Sequence, residues 1–280
     1  MKQYKNVNEL WGAIVNGDMD PSVSDFFVTG ASYIYQTTQF PNSINKYHNY
    51  YLLLRVGTYF GACSHVPEQL GIEAGREFSG KSLKSCVIDP RLPVRIAAMD
   101  AYLGTVYPHE RQCSDAVELP GGTPAEKADF RDNLIADIAN IEQGMRIALI
   151  GVVNPLIAAI RKRGGTCLPC DLQMERTQWG DPVEKDMEKV LDSADGVICT
   201  GMTLSNGTFD RVVERVLERN IPLTVYAQTG SAVAARFVGN GITSLLAESF
   251  PFSQFSANLA EPFPFSQFSA NATRVFCYKG

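Results

Sequence analysis

The chain has 280 residues, of which 45% are hydrophobic and 20% charged, so it can bury the core of one large domain or of two smaller ones. A net charge of −5 argues against the basic face of a nucleic-acid-binding protein. No apolar run reaches the roughly 18 residues that a membrane span needs, and the N-terminus carries no signal-peptide core, so a cytoplasmic protein is expected. The seven scattered cysteines, an odd number, do not form a disulfide framework.

The first half of the chain predicts strands followed by helices, an α+β arrangement. Apolar residues at helical spacing predict a first helix, aromatic and β-branched runs predict two strands, and two further helices follow, the second with Pro at its start. In chain order these elements cover residues 7–16, 25–35, 50–60, 79–87 and 93–103. Turn formers cluster between residues 108 and 124, so we predict two domains, 1–124 and 125–280.

In the second half strands alternate with helices, which predicts βαβ units in a parallel, Rossmann-like sheet. The run Arg146–Val153 is continuously apolar, as is typical of a strand buried on both faces. The fold class is therefore α/β, a C-terminal Rossmann-like sheet with an N-terminal α+β domain. The other predicted helices cover residues 125–140, 155–163, 183–192, 209–219 and 232–240, and the other strands 166–170, 196–200, 221–226 and a last one reached through 242–246.

The loop Gly151–Pro155 follows the first strand of this sheet, where open α/β folds bind ligands. Gly151 permits a tight exit from the strand, and Asn154 lies at a helix N-terminus that offers unpaired N–H groups. Val153 and Leu156 stand where a dinucleotide motif has its second and third glycines, so neither NAD nor FAD is expected.

Asp171 follows Gly151 by 20 residues, at the end of the second strand of the sheet. In nucleotide-binding folds an acidic residue at this distance accepts hydrogen bonds from ribose hydroxyls. One glycine with such an acid suits adenosine without a diphosphate, as in S-adenosylmethionine. In the alternative interpretation, Asp171 only caps the turn that follows it.

The segment Thr200–Thr208 is the most distinctive loop, because it combines two glycines with several small hydrogen-bonding side chains. Thr208 is a candidate N-cap for the helix that follows. The segment predicts a ligand loop facing Gly151–Pro155, and an ordinary capped turn is the alternative. A third loop, Ala227–Ser231, could close the site. The candidate ligand-binding residues are Gly151, Asn154, Asp171, Thr200, Gly201, Thr203, Leu204 and Asn206.

The pattern Asp195–Ile198 followed by Thr200-Gly-x-Thr-Leu-x-Asn-Gly-Thr208 resembles the signature of a two-domain family of unknown function. The C-terminal domain of that family is Rossmann-like and described as "putative heavy-metal chelation", and its N-terminal domain is similar to that of enolase. The C-terminal resemblance spans about residues 145–250. A looser N-terminal one rests on Gly61-Ala-Cys-Ser, Gly80-Lys-Ser-Leu and Arg95–Tyr102. The resemblance implies an active site between the domains.

Metal ligands at workable spacing are few in this sequence. Cys167-Leu-Pro-Cys170 supplies two thiols at most, no second pair follows, and the three histidines (48, 65 and 109) all lie in the first half. We therefore predict no metal site from the residues themselves.

Aromatic residues are dense in the first half, with eight between positions 33 and 60. Core packing explains most of them, but Tyr33 and Tyr59 are candidates to line a cleft and face a cationic ligand such as a sulfonium. Trp179 could stack on an adenine or simply cover the sheet.

No nucleophile–base motif, Walker loop or cofactor lysine is present. A displacement on a sulfonium needs none of these, since positioning supplies much of the rate. We therefore predict a small-molecule enzyme that uses S-adenosylmethionine or a related nucleoside in an interdomain cleft, by alkyl transfer or cyclisation. The alternative is a non-catalytic protein that handles heavy metals or metallophores. The expected partners are a small molecule and a second copy in a homodimer, with neither nucleic acid nor membrane.

The tail contains a duplication, since Pro-Phe-Ser-Gln-Phe-Ser-Ala-Asn occurs at 251–258 and again at 264–271. Two copies at this short offset do not make a solenoid. One interpretation is a tandem duplication that lengthens a surface loop, and the other is a Phe-rich flap over the cleft.

Overall fold

The computed structural model describes residues 3–39, 46–255 and 274–280. In its N-terminal part, three antiparallel strands form a small sheet in the order β1-β2-β3. Four helices belong to this part, and the second and fourth of them pack against the sheet. Thr123 and Glu126 make a capping box at the start of a fifth helix, which leads into the second half. The bounds are α1 Val7–Asn16, β1 Gly30–Thr38, β2 Tyr47–Val56, β3 Tyr59–His65, α2 Ala74–Glu77, α3 Leu83–Val87, α4 Leu92–Val106, β4 Asp115–Glu118 and α5 Pro124–Ile138.

The second half is built on a seven-stranded sheet in the order β4-β10-β9-β8-β7-β5-β6. Strands β5 to β9 are parallel, and β10 runs antiparallel to both β9 and β4. The bounds are β5 Arg146–Ile150, α6 Asn154–Lys162, β6 Thr166–Cys170, α7 Met187–Ser193, β7 Gly196–Thr200, α8 Met202–Ser205, α9 Phe209–Arg219, β8 Leu223–Ala227, α10 Ser231–Ala234, β9 Ser244–Ala247 and β10 Arg274–Lys279.

The parallel strands have the order found in flavodoxin-like sheets, with the first strand, β5, between the second and third. The chain leaves β5 toward β6 on one side and then continues with β7 on the other. The order in which successive strands are added to the sheet therefore reverses between β5 and β7, although the two strands are parallel. Ligands bind at this switch point in such sheets. The predicted α/β class and the two-part architecture are confirmed.

One hydrophobic core runs through both halves of the protein. It includes Leu52 and Leu54 of β2, Met99 of α4 and Val197 and Val225 of the large sheet, all buried. The opposite face of the large sheet packs against α5 and α6 in a second cluster. A third cluster covers the outer face of the small sheet. Because the halves share a core, residues of both are held in fixed positions around the loops that join them.

Several predicted elements differ from the structure. The predicted strand 50–60 is a hairpin, because the chain turns between Val56 and Tyr59, and the strand predicted at 25–35 begins only at Gly30. The helix predicted at 183–192 starts at Met187, and the one predicted at 232–240 is short, because a 3-10 turn follows Ala234. β4 precedes the predicted domain boundary, yet it is hydrogen-bonded to β10 in the large sheet.

The first copy of the tail duplication is only partly within the described residues, and its described part does not form an exposed loop. Phe252 is completely buried, and it packs with Phe250 against the outer face of the small sheet. The flap interpretation does not fit these two side chains either, because they fill a core. The second copy, 264–271, lies outside the described residues.

Candidate functional site

The loops after β5 and β7 meet at the switch point of the large sheet. Gly151 has a φ of +86°, and a Cβ there would lie 2.4 Å from Thr200 Cγ2, so only glycine fits. The Tyr226 hydroxyl donates a hydrogen bond of 2.7 Å to the Gly151 carbonyl, and the Tyr226 carbonyl accepts from Gly201 N at 2.8 Å, so both loops are tied to β8. The sequence predicted the two loops but gave no sign of Tyr226.

Asp171 organises the first loop from the neighbouring strand. One carboxylate oxygen accepts from Val152 N (2.9 Å), and the other accepts from Gln173 N (2.8 Å) and Met174 N (3.0 Å). The predicted alternative, a turn-capping role, is therefore present. A carboxylate has about four acceptor positions, so three protein bonds leave room for one more donor.

Asn154 links three parts of the protein at the start of α6. Its Oδ1 accepts from Gln178 N at 3.1 Å, and its Nδ2 lies 3.5 Å from the Tyr47 hydroxyl of the small sheet. Trp179 follows Gln178 and is 45% exposed, with the Arg161 guanidinium 4.8 Å from its ring centroid. A ring that is partly covered on one side can stack a ligand on the other.

The second loop is more structured than predicted, because it contains the short helix α8. A Cβ on Gly201 would lie 2.7 Å from Thr229 O, which shows how closely the loops after β7 and β8 approach. Thr203 and Leu204 are buried, and the Thr203 hydroxyl donates to Thr200 O at 2.8 Å. These two residues hold the loop from inside, whereas Thr200 and Asn206 remain accessible.

Thr208 occupies the N-cap position of α9 but makes no capping bond with its side chain. Its hydroxyl donates instead to Asn206 Oδ1 at 2.7 Å, and Asn206 Oδ1 also accepts from Thr208 N at 3.0 Å. The predicted capping role of the Thr208 side chain is thus wrong, because its hydroxyl donates to Asn206 and accepts from no backbone N–H of α9.

The N-terminal half reaches the second loop through Gln69. Its Nε2 donates to Ser205 O at 3.3 Å, while its Oε1 accepts from Val66 N. His65, at the end of β3, donates from Nδ1 to Val66 O at 2.8 Å, so Nε2 carries a lone pair. That Nε2 is buried and has no hydrogen-bond partner among residues 3–39, 46–255 and 274–280. Burial lowers the pKa of the imidazole, which favours the neutral ring.

Tyrosine rings pack around His65 on the same face of the small sheet. The ring centroid of Tyr33 lies 5.3 Å from that of His65, and the centroid of Tyr50 lies at 6.1 Å. Tyr35 stacks on Tyr50 at 4.6 Å and is 53% exposed. We call Tyr33, Tyr35, Tyr50 and His65 the aromatic cluster. It presents ring faces beside the segment that contacts α8.

Tyr59 lies apart from this cluster, in a polar network between the two halves. Its hydroxyl is 3.4 Å from both His109 Nε2 and Ser231 Oγ, and those two atoms are 3.1 Å apart. His109 Nδ1 bonds the Tyr278 hydroxyl. Asp100 accepts from Ala62 N and Ala232 N, both at 2.8 Å. We call Tyr59, Asp100, His109, Ser231 and Tyr278 the junction network.

Burial shifts the titration of this network strongly. It raises the pKa of Asp100 to about 7 and lowers that of His109 to about 4. Ser231 and His109 have the separation of a nucleophile and its base. Both are buried, with exposed fractions of 0% and 1%, so a substrate cannot reach them in this conformation. The sequence did not point to this pair, because 122 residues separate its members.

A group of charged side chains lies at the carboxyl ends of β8 and β9. Glu248 accepts from Gln228 Nε2 at 2.7 Å and lies 3.8 Å from Arg131 Nη1. Arg131 Nη2 is 3.4 Å from Asp132 Oδ1, and burial raises the pKa of Asp132 to about 6. These side chains attach α5 to the edge of the sheet that carries the loops.

The Cys-x-x-Cys pair cannot bind one metal ion from its present position. Residues three apart on a strand point to opposite faces, and Cys167 and Cys170 accordingly pack in different hydrophobic clusters. Burial raises their pKa values to about 12 and about 11, so both thiols are protonated. Within residues 3–39, 46–255 and 274–280, no group of three His, Cys, Asp or Glu could hold a metal ion.

Two cavities lie away from the loops. One of about 650 Å³ is on the outer face of α5, lined by Pro120, Ala125 and Phe130 among others. The other, of about 260 Å³, is near Met145, Thr224 and Thr243, at the amino ends of the parallel strands. Across the described part of the chain, none of the helices combines the length and apolar character of a membrane span.

Comparison with known proteins confirms the family resemblance. Residues 133–243 match the family DUF364, described as "Putative heavy-metal chelation". A protein of unknown function from this family in Desulfitobacterium hafniense superimposes with a TM-score of 0.60 at 16% identity, covering 97% of each chain. A second one, from Pyrococcus horikoshii, gives 0.53 at 13% identity, covering 97% of this chain and 100% of its own. No curated protein matches significantly. At these identities the likeness shows the fold.

Proposed function

We propose that the protein is a small-molecule enzyme that binds S-adenosylmethionine or a related nucleoside between the two loops and the aromatic cluster. The observation that carries the proposal is the contact of Gly151 with Thr200 at the switch point, with Asn154 and Gln69 joining that point to the N-terminal half. In open α/β sheets, a crevice at this place is where ligands bind.

Each part of such a ligand has a matching protein group. The N-terminus of α6 offers N–H groups and a positive dipole end to a carboxylate. Trp179 offers a ring face to an adenine, and Asp171 retains an acceptor position for a ribose hydroxyl. The tyrosine faces beside His65 favour a positively charged centre such as a sulfonium.

The chemistry we propose is alkyl transfer or cyclisation at a carbon bonded to the sulfonium. The electron pair of an amine forms the new C–N bond, the C–S bond breaks, and its electrons neutralise the sulfur. The amine proton needs an acceptor. His65 Nε2 has no hydrogen-bond partner among the described residues, but it is buried, so it takes the proton only if the aromatic cluster opens. The remaining contribution of the protein is orientation of the reacting atoms.

A second candidate function, the handling of a metal–chelator complex without catalysis, is favoured by the description of the matching family. The described residues include no three-ligand group, so the chelating atoms would come largely from the small molecule. The same cleft would then recognise an organic chelator.

Calorimetry and native mass spectrometry with the full chain separate these candidates. S-Adenosylmethionine, adenosine and the ions Zn²⁺, Ni²⁺ and Co²⁺ are titrated in turn. We expect S-adenosylmethionine to bind with measurable heat. Trp179→Ala should lower the binding affinity about tenfold, because one base–aromatic stack is lost. Trp179→Phe is the matched control and should bind almost as well as the unmodified protein.

Leu217→Ala, at an exposed position on α9, controls for nonspecific effects of surface truncation. If neither nucleoside produces heat, the proposed function is rejected. Heat with metal ions alone would support the second candidate. Nucleoside binding that is the same in Trp179→Ala would remove Trp179 from the site.

A further inference from the structure

Arg236 is a buried arginine on the 3-10 turn that follows α10. Only 7% of the residue is exposed, and its guanidinium carbon lies 4.5 Å from the ring centroid of Tyr107. A guanidinium stays charged in proteins and carries five N–H donors. The face of a tyrosine ring attracts the charge but supplies no oxygen acceptor for those donors. The stack therefore positions the head group of Arg236 without satisfying its hydrogen bonds.

The guanidinium of Arg236 has no counterion in the described part of the chain, and it donates no hydrogen bond there. Its Nε is buried without a partner, so the two terminal nitrogens are the part of the head group that solvent reaches. The ionisable groups that face it are three tyrosines, Tyr4, Tyr107 and Tyr278, rather than carboxylates. Burial lowers the pKa of the guanidinium, as expected for a charge without a partner.

Arg161 shows what a stacked arginine has elsewhere in this protein. It lies over the ring of Trp179 and 2.6 Å from the Asp181 carboxylate, although 40% of its side chain is exposed. A buried charge needs a partner more than an exposed one, because burial removes the water that would solvate it. Outside residues 3–39, 46–255 and 274–280, the sequence contains one acidic side chain, Glu261. A missing counterion for Arg236 is thus best sought outside the chain.

We propose that Arg236 anchors a binding site for the carboxylate group of a small molecule. A guanidinium binds a carboxylate through two parallel N–H···O bonds, and the accessible edge of Arg236 is the one that carries its two terminal nitrogens. One positive charge matches a carboxylate better than a phosphate, which carries about −1.5 to −2 at pH 7. Because so little of the residue is exposed, the opening suits a small anion rather than an extended protein surface.

This site is separate from the loops at the switch point, so the inference is independent of the proposed function. Tyr4 belongs to the N-terminal segment, Tyr107 directly follows α4, and Tyr278 lies in β10. Asn240 Nδ2 donates to Tyr4 O at 2.7 Å and fixes that segment near the turn that carries Arg236. Because the surrounding side chains come from both halves of the protein, the site exists only in the folded chain. A ligand that binds there therefore raises the stability of the protein.

The test measures Tm of the full chain while chloride is replaced by acetate at constant ionic strength. If acetate binds with a dissociation constant of about 10 mM, about 100 mM acetate should raise Tm by roughly 2–4 °C. Arg236→Met should abolish the rise. Arg236→Lys keeps the charge but lacks the planar fork, so it should weaken binding about tenfold. Arg55→Met removes an exposed arginine and is the matched control, which should respond like the unmodified protein.

Saturation-transfer NMR of the acetate methyl group gives a direct readout of binding to the unmodified protein and to Arg236→Lys. If Arg236→Met does not fold, this comparison decides, and equal saturation curves reject the proposal. The proposal is also overturned if acetate raises Tm equally in Arg236→Met, or if phosphate at the same ionic strength stabilises more than acetate. Glu261→Gln should leave the acetate response unchanged. A response that appears only in Glu261→Gln would identify an intrachain counterion instead.

Discussion

The junction network and the loops at the switch point both hold the two halves together, but they use different groups. The junction network contains two buried side chains with strongly shifted pKa values, Asp100 and His109. The loops use backbone N–H groups, a glycine at positive φ and small side chains that remain near the surface. Perturbed pKa values often indicate a functional site. Here the pKa values of Asp100 and His109 are strongly shifted although no substrate reaches these side chains, so access identifies the candidate site better than titration does.

Asp100→Ala is the strongest test of the junction network. The carboxylate accepts from Ala62 N and Ala232 N, one in each half, and its loss leaves both N–H groups buried without an acceptor. We expect the free energy of unfolding to fall by roughly 3–5 kcal/mol in urea titrations. Asp115→Ala, at an exposed aspartate, should change it by less than about 0.5 kcal/mol. Equal losses in the two variants would contradict a structural role for Asp100.

The buried imidazole of His109 leads us to expect that the protein loses stability in acid. Burial lowers its pKa to about 4, whereas the unfolded chain binds the proton near pH 6.5. The stabilising effect of the neutral ring is therefore complete above pH 6.5 and is lost as the pH falls toward 4, by roughly 3 kcal/mol. Between pH 7 and pH 4, the free energy of unfolding should fall by roughly 3 kcal/mol more in the unmodified protein than in His109→Gln.

The comparison of the two proteins isolates His109, because the other buried groups are common to both. Asp100 and Asp132, whose pKa values are raised to about 7 and about 6, contribute in the opposite direction. Their stabilising effect is complete below pH 4 and declines as the pH rises through those values. A pH dependence that His109→Gln leaves unchanged would show that the ring is already solvated in the folded state.

The sequence predicted what depends on local pattern. Alternating apolar strands and amphipathic helices placed both loops, and the alternation holds from β5 to β9. It missed what depends on distant pairing. The hairpin at Gly57 was predicted as one strand because both of its arms are apolar. β10 was not predicted as a sheet strand in this position, because it pairs with β9 across residues 248–273 and with β4 more than a hundred residues earlier.

The same division applies to the candidate site. Gly151 and Thr200 were found because each follows a buried strand, but their contact depends on the strand order. Tyr226 and His65 carried no local signal, since a tyrosine or histidine in an apolar run usually belongs to the core. Asp171 was found by its spacing. Two of its backbone partners are local, but the third, Val152 N, becomes a partner only because β5 and β6 lie side by side.

Gly151→Ala tests the loops with a smaller expected effect on stability. The new methyl group would stand at a positive φ and 2.4 Å from Thr200 Cγ2, which should cost about 1–3 kcal/mol. Thr200→Ser removes that Cγ2 while keeping the hydroxyl, so the double variant should recover the part of the loss due to the clash and keep the part due to φ. Urea titrations of both single variants and the double variant measure the two parts separately.

If the loops hold the ligand, calorimetry should show that Gly151→Ala also weakens S-adenosylmethionine binding, whereas His109→Gln at pH 7 should not. If both variants weaken binding equally, the junction network and the loops form a single site. That result would contradict the conclusion that only the loops contact the ligand.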